Sequence, residues 1–421
     1  MNIRSILLTR VKQLWDQKIF RYAVILHSFY FFLSIILFFL FYKEKNDFLI
    51  FYNVGDIFLN DIESLYNQSF YLWDFRYFPL SALFFIPFSI LPFELAFISF
   101  NIINVLLNIL ISISLYKIII LVRVKDDDNN DKRVIIYICI YLMGLPHILN
   151  YVYGQINSYI TLFILVSLYI FLKYKELKWQ CLGSIILGIS IIIKPTAFFL
   201  IPFLIILQFD LEKRKFRLDF LKSLVRLFGV ILPVLLNFIL FISYPVLWQG
   251  FLETNFTGNN PVALNFSFSI SKLIINFCYF FNIPFNQLYI LVGVIFIIGG
   301  LGFIFFLIRR TDKKSIIYGY GLGIIIMLLV YYDSWDHHLL NLTPILIIIL
   351  FTLPKYSKMT NYIKLSLIFF SFFDLAFVGI WYLIHPLFPF NFEATFFLLI
   401  SFYVIYKTLI QKYTKQSVGG Q

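Results

Sequence analysis

The chain has 421 residues, of which 61% are hydrophobic and only 13% are charged. Because a soluble domain carries roughly 25% charged residues, this composition excludes an ordinary soluble enzyme and predicts an all-α polytopic membrane protein. The formal net charge of +12 does not indicate a nucleic-acid partner, since the basic residues lie in short loops between apolar runs. The three cysteines are scattered, with no CxxC motif and no Cys/His cluster, so the sequence predicts neither a disulfide framework nor a zinc site.

Apolar runs recur along the whole chain and predict about twelve transmembrane helices in one integral membrane domain over residues 1–421. Several runs are shorter than the ~20 residues that cross a bilayer, so these helices are expected to be paired or tilted. The predicted spans are 22–42, 95–122, 134–149, 157–172, 179–193, 195–209, 223–243, 286–308, 315–332, 339–354, 362–384 and 395–411.

The distribution of lysine and arginine predicts the orientation in the membrane. Most of the 34 basic residues fall on one side of the alternating spans, which places both termini in the cytoplasm. The N-terminal segment 1–21 and the tail 412–421 are then cytoplasmic, and segments 43–94 and 244–285 are large outward loops. To keep this alternation, the proline-interrupted run at 79–92 is predicted as a re-entrant or interfacial helix that does not cross. The plasma membrane is the expected location.

The first outward loop gathers acidic residues after a long apolar run. Apolar side chains recur at helical spacing over residues 58–66, which predicts an amphipathic helix that lies on the membrane surface and starts near Asp56. Gly55, which has no side chain, would let a substrate approach the Asp56 carboxylate. Asp74, close to Arg76, is the second candidate for an acidic catalytic group. The alternative is a solvent-exposed loop whose charged residues keep it hydrated and have no catalytic role.

Three more polar features are predicted on the same side of the membrane. Gln155 and Asn157 lie at a membrane boundary, where their amides either bind a substrate or cap a helix. Lys194 interrupts an apolar run and needs either an anionic partner or a route to water. His337 and His338 resemble metal ligands, but no second set of ligands accompanies them, so a contact to phosphate or sugar is the simpler interpretation.

The order of these motifs resembles that of the GT-C membrane glycosyltransferases. It is particularly similar to glycosyltransferase family 87, the polyprenyl-phosphate-mannose-dependent mannosyltransferases, over roughly residues 25–350. Family members typically have two prolines where this chain has Phe78-Pro79. The motifs that carry the resemblance are Gly55-Asp56, Tyr77-Phe78-Pro79-Leu80, Gly154-Gln155-Ile156-Asn157, Gly183 and Gly188 before Ile193-Lys194-Pro195, Asn265-Phe266-Ser267-Phe268-Ser269, and His337-His338.

The resemblance implies a GT-C fold and an enzyme that transfers a hexose, in this family mannose, from a polyprenyl- or dolichyl-phosphate donor. The acceptor would be a glycolipid or glycan at the outer face of the membrane lipids, and the anomer would be inverted. An aspartate of the first outward loop is the general base in this family, and Asp56 is the position that matches it. Since phosphate is a good leaving group, one base suffices, and no metal ion, nucleotide or other cofactor is expected. The residues expected to contact phosphate or sugar are Arg76, Tyr77, Gln155, Asn157, Lys194, Asn265, His337 and His338.

Two other classes of membrane protein fit parts of the sequence. A transporter or flippase of lipid-linked sugars would show inverted repeats and broken helices near the midplane, whereas here no repeat is evident and the polar residues gather at one face. An O-antigen ligase or polymerase would favour arginine-rich outer loops, but Arg76 is the only outward arginine in the predicted topology. The transporter is the alternative to a glycosyltransferase.

Overall fold

A computed structural model describes residues 15–123, 130–256, 265–310 and 314–410, which form a bundle of helices. The predicted tail 412–421 and most of the predicted N-terminal segment 1–21 lie outside the described residues. The first helices are α1 Lys18–Leu37, α2 Phe48–Asn60, α3 Ile86–Ser89, α4 Phe93–Val122, α5 Asn130–Met143, α6 Pro146–Val152, α7 Asn157–Lys173 and α8 Leu177–Ile193.

The second half of the chain begins with an antiparallel hairpin of two strands, β1 Leu207–Asp210 and β2 Lys215–Leu218, in which Leu207 pairs with Leu218. Helices follow this hairpin up to residue 410. They are α9 Phe220–Ser243, α10 Pro245–Phe256, α11 Ile270–Phe280, α12 Gln287–Val294, α13 Gly300–Leu307, α14 Ser315–Val330, α15 Leu339–Thr352, α16 Lys358–Ile368, α17 Asp374–Ile384 and α18 Glu393–Ile410.

Within the described ranges, six helical stretches are long and apolar enough to cross a membrane. They are α1 with its π-helical extension to Tyr42, α4, α9, α12 joined to α13, α16 joined to α17, and α18. A seventh forms if α5 and α6, which meet at a 41° bend, count as one broken span. Shorter apolar helices, α7, α8, α14 and α15, occupy other predicted spans. The chain is therefore an integral membrane protein, and the predicted all-α polytopic fold class is confirmed.

The segment predicted as a span at 195–209 is not an α-helix. A 3₁₀-helix covers Pro195–Leu204, and the chain then enters β1. Pro202, inside this segment, lacks the backbone N–H that an α-helical hydrogen bond needs, and the segment forms tighter turns with i→i+3 hydrogen bonds. With a rise of about 2.0 Å per residue, these 10 residues still extend ~20 Å along the bundle.

The loop between α1 and α4 contains a helix that starts earlier than predicted. α2 begins at Phe48, so Asp56 lies in its second half and not at its N-terminus. The buried side chains that set its period are Phe48, Phe51 and Val54. The predicted surface helix that starts near Asp56 is therefore wrong, because the helix ends at Asn60.

Residues 79–92 fold against α2 as two short helices, a 3₁₀-helix at Pro79–Phe84 followed by α3. Neither helix is long enough to cross a bilayer, in agreement with the predicted non-crossing segment. A Cβ added at Gly55 would lie 2.8 Å from the carbonyl carbon of Phe85. Gly55 therefore lets α2 pack closely on this segment, and the predicted role of opening Asp56 to substrate is not what the packing shows.

Contacts between loops define two ends of the bundle. At one end, named here the site end, the backbone N–H of Phe48 donates a hydrogen bond to the carbonyl oxygen of Tyr153. At the other end, named the hairpin end, Nε2 of Gln208 in β1 donates to the carbonyl oxygen of Arg309 at 2.6 Å. Because successive crossing segments alternate in direction, the loops that follow them fall alternately at these two ends.

Candidate active site

Polar side chains gather at the site end, within an otherwise apolar bundle. Lys194 follows the last residue of α8 and is only 4% exposed. Its ammonium Nζ donates to Asn157 Oδ1 at 3.0 Å and to Gln155 Oε1 at 3.4 Å. Gln155 Nε2 in turn donates to Asp47 Oδ2, so one amide links the buried cation to a carboxylate. We name this group the Lys194 cluster; its members are Asp47, Gln155, Asn157, Lys194, His337 and His338.

Gln155 links two ionisable groups, Asp47 and Lys194. For each group, burial and the charge of the other group shift the pKa in opposite directions. Burial raises the pKa of Asp47 to about 6, although the Lys194 charge and the Gln155 hydrogen bond lower it. Burial lowers the pKa of Lys194 to about 7, although the Asp47 charge raises it. Near neutral pH the carboxylate is therefore mostly ionised and the ammonium is close to its titration point, a range useful for acid–base chemistry.

The position of Gln155 depends on a tight turn between α6 and α7. Gly154 in this turn has a φ of +60°, in the left-handed region that favours glycine. A Cβ added at Gly154 would overlap the Cβ of Phe48, the first residue of α2. Glycine therefore allows the turn that carries Gln155 to pack directly against the segment that carries Asp47.

Asparagines of α4 donate hydrogen bonds to the backbone at the same turn. Asn101, Asn104 and Asn108 are fully buried and lie three or four residues apart, on one face of the helix. Asn101 Nδ2 donates to the carbonyl oxygen of Tyr151 at 3.1 Å, and Asn104 Nδ2 donates to that of Gln155 at 3.5 Å. Because buried amides are costly unless they are hydrogen-bonded, these contacts fix the backbone that presents Gln155.

The two histidines form a 3₁₀ turn with Asp336 just before α15. Both rings are buried, 4.4 Å apart, and within electrostatic range of Lys194. His338 Nδ1 accepts a hydrogen bond from the backbone N–H of Trp335 at 3.1 Å, so the hydrogen of the neutral ring is on Nε2. Among the described residues Nε2 has no hydrogen-bond partner, which leaves a buried donor for a ligand oxygen.

A second charged group borders the Lys194 cluster. Arg76 Nη1 pairs with Asp333 Oδ2 at 2.7 Å. Burial lowers the pKa of Arg76, but the neighbouring Tyr331 and Asp333 raise it by more than burial lowers it. The pKa is therefore raised overall, and the guanidinium stays charged. Tyr77 lies within electrostatic range of both Asp47 and Arg76, and burial raises the pKa of its hydroxyl, which stays protonated. The arrangement supplies a carboxylate, cations and neutral hydrogen-bonding groups at one membrane face, which suits group transfer from an anionic donor.

Comparison with known families agrees with this chemistry. The profile of glycosyltransferase family 87 matches residues 75–331, which is more than half of the chain. The chain belongs to glycosyltransferase family 87. It is therefore a membrane glycosyltransferase, whose partners are a sugar donor, an acceptor and the surrounding lipids. No curated protein matches the sequence.

In this family 87 glycosyltransferase, most of the predicted contact residues meet at the site end. The residues that join or border the Lys194 cluster are Arg76, Tyr77, Gln155, Asn157, Lys194, His337 and His338. Asn265 is exposed, and the hydrogen bond described for it runs from Asn276 Nδ2 to the Asn265 carbonyl oxygen at 3.2 Å. That bond joins Asn265 to α11 and not to a member of the Lys194 cluster, so a role for Asn265 in substrate binding stays a prediction.

Asp56, the predicted base, lies on α2 outside the hydrogen bonds that build the Lys194 cluster. Its side chain is exposed and accepts a hydrogen bond from Asn60 Nδ2 at 2.9 Å. Its predicted place at a helix N-terminus, which would favour an ionised carboxylate, is wrong because α2 begins at Phe48. Asp74, the second candidate, lies 4.0 Å from Arg76 Nη2.

Sequence reasoning missed Asp47, although two signals pointed to it. Asn46 and Asp47 are cap-forming residue types directly before Phe48, and Asn46 Oδ1 does accept from the backbone N–H of Leu49 at 3.0 Å. The three asparagines of α4 were a second, indirect signal, because amides at helical spacing in an apolar run predict a buried polar contact, here the turn that carries Gln155.

Proposed function

We propose that this protein transfers a hexose, mannose in the first instance, from a polyprenyl- or dolichyl-phosphate donor to a glycolipid or glycan acceptor. Membership in family 87 supports glycosyl transfer. A lipid-linked, anionic donor is supported by the position of Lys194 and His338, which are buried where the helices end. The single observation that carries the proposal is the linkage of Asp47 through Gln155 to Lys194, which holds a base beside a cation.

We assign the general base to Asp47 in place of Asp56. Asp47 would accept the proton of the acceptor hydroxyl as the hydroxyl oxygen attacks the anomeric carbon. The bond from this carbon to the phosphate oxygen breaks, its electron pair leaves with the phosphate, and the configuration inverts. The leaving phosphate is a stable anion and needs no general acid, so one carboxylate is sufficient.

The donor phosphate is assigned to Lys194 and His338. The Lys194 ammonium and the Nε2–H of His338 are donors for phosphate oxygens, and the ammonium also supplies charge. Arg76 is a third candidate, but its charge is already compensated by Asp333 at 2.7 Å. Because the Lys194 ammonium supplies positive charge, the proposed reaction requires no metal ion or other cofactor.

Orientation follows from the basic residues of the hairpin end. Lys213, Arg214, Lys215 and Arg217 lie in or beside the β-hairpin. By the positive-inside rule this end faces the cytoplasm. The Lys194 cluster then faces outward, and transfer takes place at the outer face of the plasma membrane.

The test is sugar transfer by the purified protein in proteoliposomes that contain a crude glycolipid extract. Radiolabelled polyprenyl-phosphate mannose is the donor, with the glucose-carrying lipid and a nucleotide-linked mannose as matched controls. We expect labelled product from polyprenyl-phosphate mannose alone, at a rate that a chelator does not change. Transfer from the nucleotide sugar would overturn the proposed donor. Movement of the labelled lipid across the bilayer without a new glycosidic bond would indicate a flippase.

A further inference from the structure

A large cavity lies at the hairpin end, opposite the Lys194 cluster. Its volume is about 920 Å³, and it is bounded by the β-hairpin and by the adjoining ends of α7, α9, α13 and α14. Apolar side chains such as Phe171, Ile205 and Ile316 form half of its lining. Among the described lining residues Asp219 is acidic, whereas six are basic: Lys175, Arg217, Lys222, Arg226, Arg309 and Lys314.

Two of these basic side chains are fixed inside the protein. Arg226 is 7% exposed, and its Nε and Nη2 donate to Gln180 Oε1 at 2.8 and 2.6 Å. Arg309 is 2% exposed, and its Nη1 donates to the carbonyl oxygen of Leu207 at 2.6 Å. The neutral Gln180 orients the Arg226 guanidinium without cancelling its charge. Arginines that only set membrane topology would extend to water, so the burial of these two indicates a local requirement for positive charge.

Two described acidic residues in or near the cavity lining pair with basic side chains. Asp219 accepts from the backbone N–H of Lys222 at 3.2 Å and pairs with Lys222 Nζ at 3.5 Å. Asp210, in β1, pairs with Arg217 Nη2 at 2.9 Å. Among the described lining residues six are basic and Asp219 is acidic, so the described lining carries a net positive formal charge.

Part of the cavity rim is apolar and exposed. Phe220 is 66% exposed, Leu218 is 51% exposed, and both line the cavity. In a membrane-spanning bundle, exposed apolar side chains near a helix end lie against acyl chains. A cationic interior with an apolar rim matches the two chemical parts of an anionic lipid, its phosphate and its acyl chains.

We propose that this cavity binds the headgroup of an anionic glycerophospholipid from the adjoining leaflet. The phosphate lies near Arg226, and the acyl chains follow Phe220 and Leu218. Charge complementarity selects this occupant, and the volume falls within the range of about 300–1,000 Å³ that ligand pockets have. A site for a free anion would not require the exposed apolar rim.

The test uses the full-length protein in neutral detergent, titrated with dioleoyl-phosphatidylglycerol and monitored by native mass spectrometry. The double variant Lys175→Gln/Lys222→Gln removes two cavity charges. The matched control Lys178→Gln/Lys213→Gln removes two exposed charges outside the cavity lining. We expect the first variant to weaken phosphatidylglycerol binding roughly ten-fold and the control less than two-fold. Phosphatidylcholine should bind weakly to all three proteins.

Equal losses in the two double variants would overturn the proposal, because they would show attraction to surface charge in general. Displacement of the bound lipid by millimolar inorganic phosphate would also overturn it, in favour of a free-anion site. Arg226→Gln provides an independent variant: if it unfolds at the wild-type temperature yet binds the lipid as wild type does, the phosphate is not held there. The readout is lipid binding, so it does not depend on whether the protein transfers a sugar.

Discussion

At the scale of single residues, Lys194 shows how a buried lysine can prepare a membrane protein for an anionic substrate. An ammonium removed from water needs oxygen partners, and Lys194 has them in Asn157 and Gln155. Both partners are neutral amides, so they orient the charge without cancelling it, and the carboxylate of Asp47 is reached through Gln155. A donor phosphate would add the counter-charge directly.

We predict a bell-shaped pH profile for kcat/KM of the donor. As the pH falls through about 6, Asp47 becomes protonated and can no longer accept a proton. As the pH rises through about 7, Lys194 loses the charge that binds the phosphate. Initial rates over a range of roughly pH 5 to 9 measure both limbs. In Lys194→Arg the cation stays charged, so the alkaline limb should move to higher pH; an unchanged limb would contradict its assignment to Lys194.

We predict that Lys194→Gln and His338→Gln weaken donor binding more than acceptor binding. A hydrogen bond to a charged group contributes about 1.5–3 kcal/mol, so the donor KM of Lys194→Gln should rise roughly ten-fold or more. The increase should be smaller for His338→Gln, because glutamine keeps an N–H donor. Lys178→Gln, at an exposed position of the hairpin end, is the control. If all three variants share the wild-type donor KM, the phosphate is bound elsewhere, with Arg76 the next candidate.

At the scale of elements, the turn between α6 and α7 places polar groups of the candidate site within an apolar bundle. It packs Gly154 against Phe48, the first residue of α2, and asparagines of α4 donate hydrogen bonds to the carbonyl oxygens of Tyr151 and Gln155. These amides are enclosed between helices, where their hydrogen bonds offset the cost of placing them in an apolar helix. The same packing brings Asp47, a loop residue, into the site.

We predict that Gly154→Ala loses most transfer activity while the protein still inserts into membranes. A left-handed φ costs a residue with a side chain roughly 1–2 kcal/mol, and the new Cβ would overlap Phe48, so the Gln155 turn must move away from Asp47. Gly293→Ala is the matched control, since a Cβ there meets nothing within 4 Å. Transfer rate and membrane yield are measured for both variants. Similar activity in the two proteins would argue against a role for the turn.

The apolar runs predicted where most helices lie, but not where the first outward loop becomes helical. The periodicity over residues 58–66 favoured a helix that starts at Asp56, whereas the stronger apolar run from Phe48 forms α2 and ends at Asn60. The run after Lys194 was equally ambiguous, because composition alone does not distinguish an α-helix from the 3₁₀-helix found there. Both errors fall at boundaries, where packing rather than periodicity decides the structure.

At the scale of the whole molecule, the site is assembled from loops far apart in the sequence. Lys194, Gln155 and the two histidines could be identified individually, since polar groups at the ends of apolar runs indicate function. That they meet at Asp47, and not at Asp56, could not be predicted, because it depends on how α2 packs against the turn at Gly154. The opposite end of the bundle is basic, so the two faces of the molecule differ in chemistry.

We predict that cysteines placed at Lys178 and at Gln249 react from opposite sides of the membrane. Both positions are exposed, Lys178 near the start of α8 at the hairpin end and Gln249 on α10 at the site end. Cys139, Cys181 and Cys278 are first replaced by alanine so that they do not react. An impermeant maleimide added to intact cells should label Gln249→Cys and not Lys178→Cys. Labelling of both from the same side would contradict the topology.

The central claim is that Asp47 is the base of a glycosyl transfer from a lipid-phosphate donor. The most direct measurement compares Asp47→Asn with Asp56→Asn in one transfer assay, at equal amounts of folded protein. We expect Asp47→Asn to lose turnover by about 10²-fold or more while it still binds the donor, and Asp56→Asn to stay close to the wild-type rate. Near wild-type turnover in Asp47→Asn together with an inactive Asp56→Asn would contradict this assignment and move the base to Asp56.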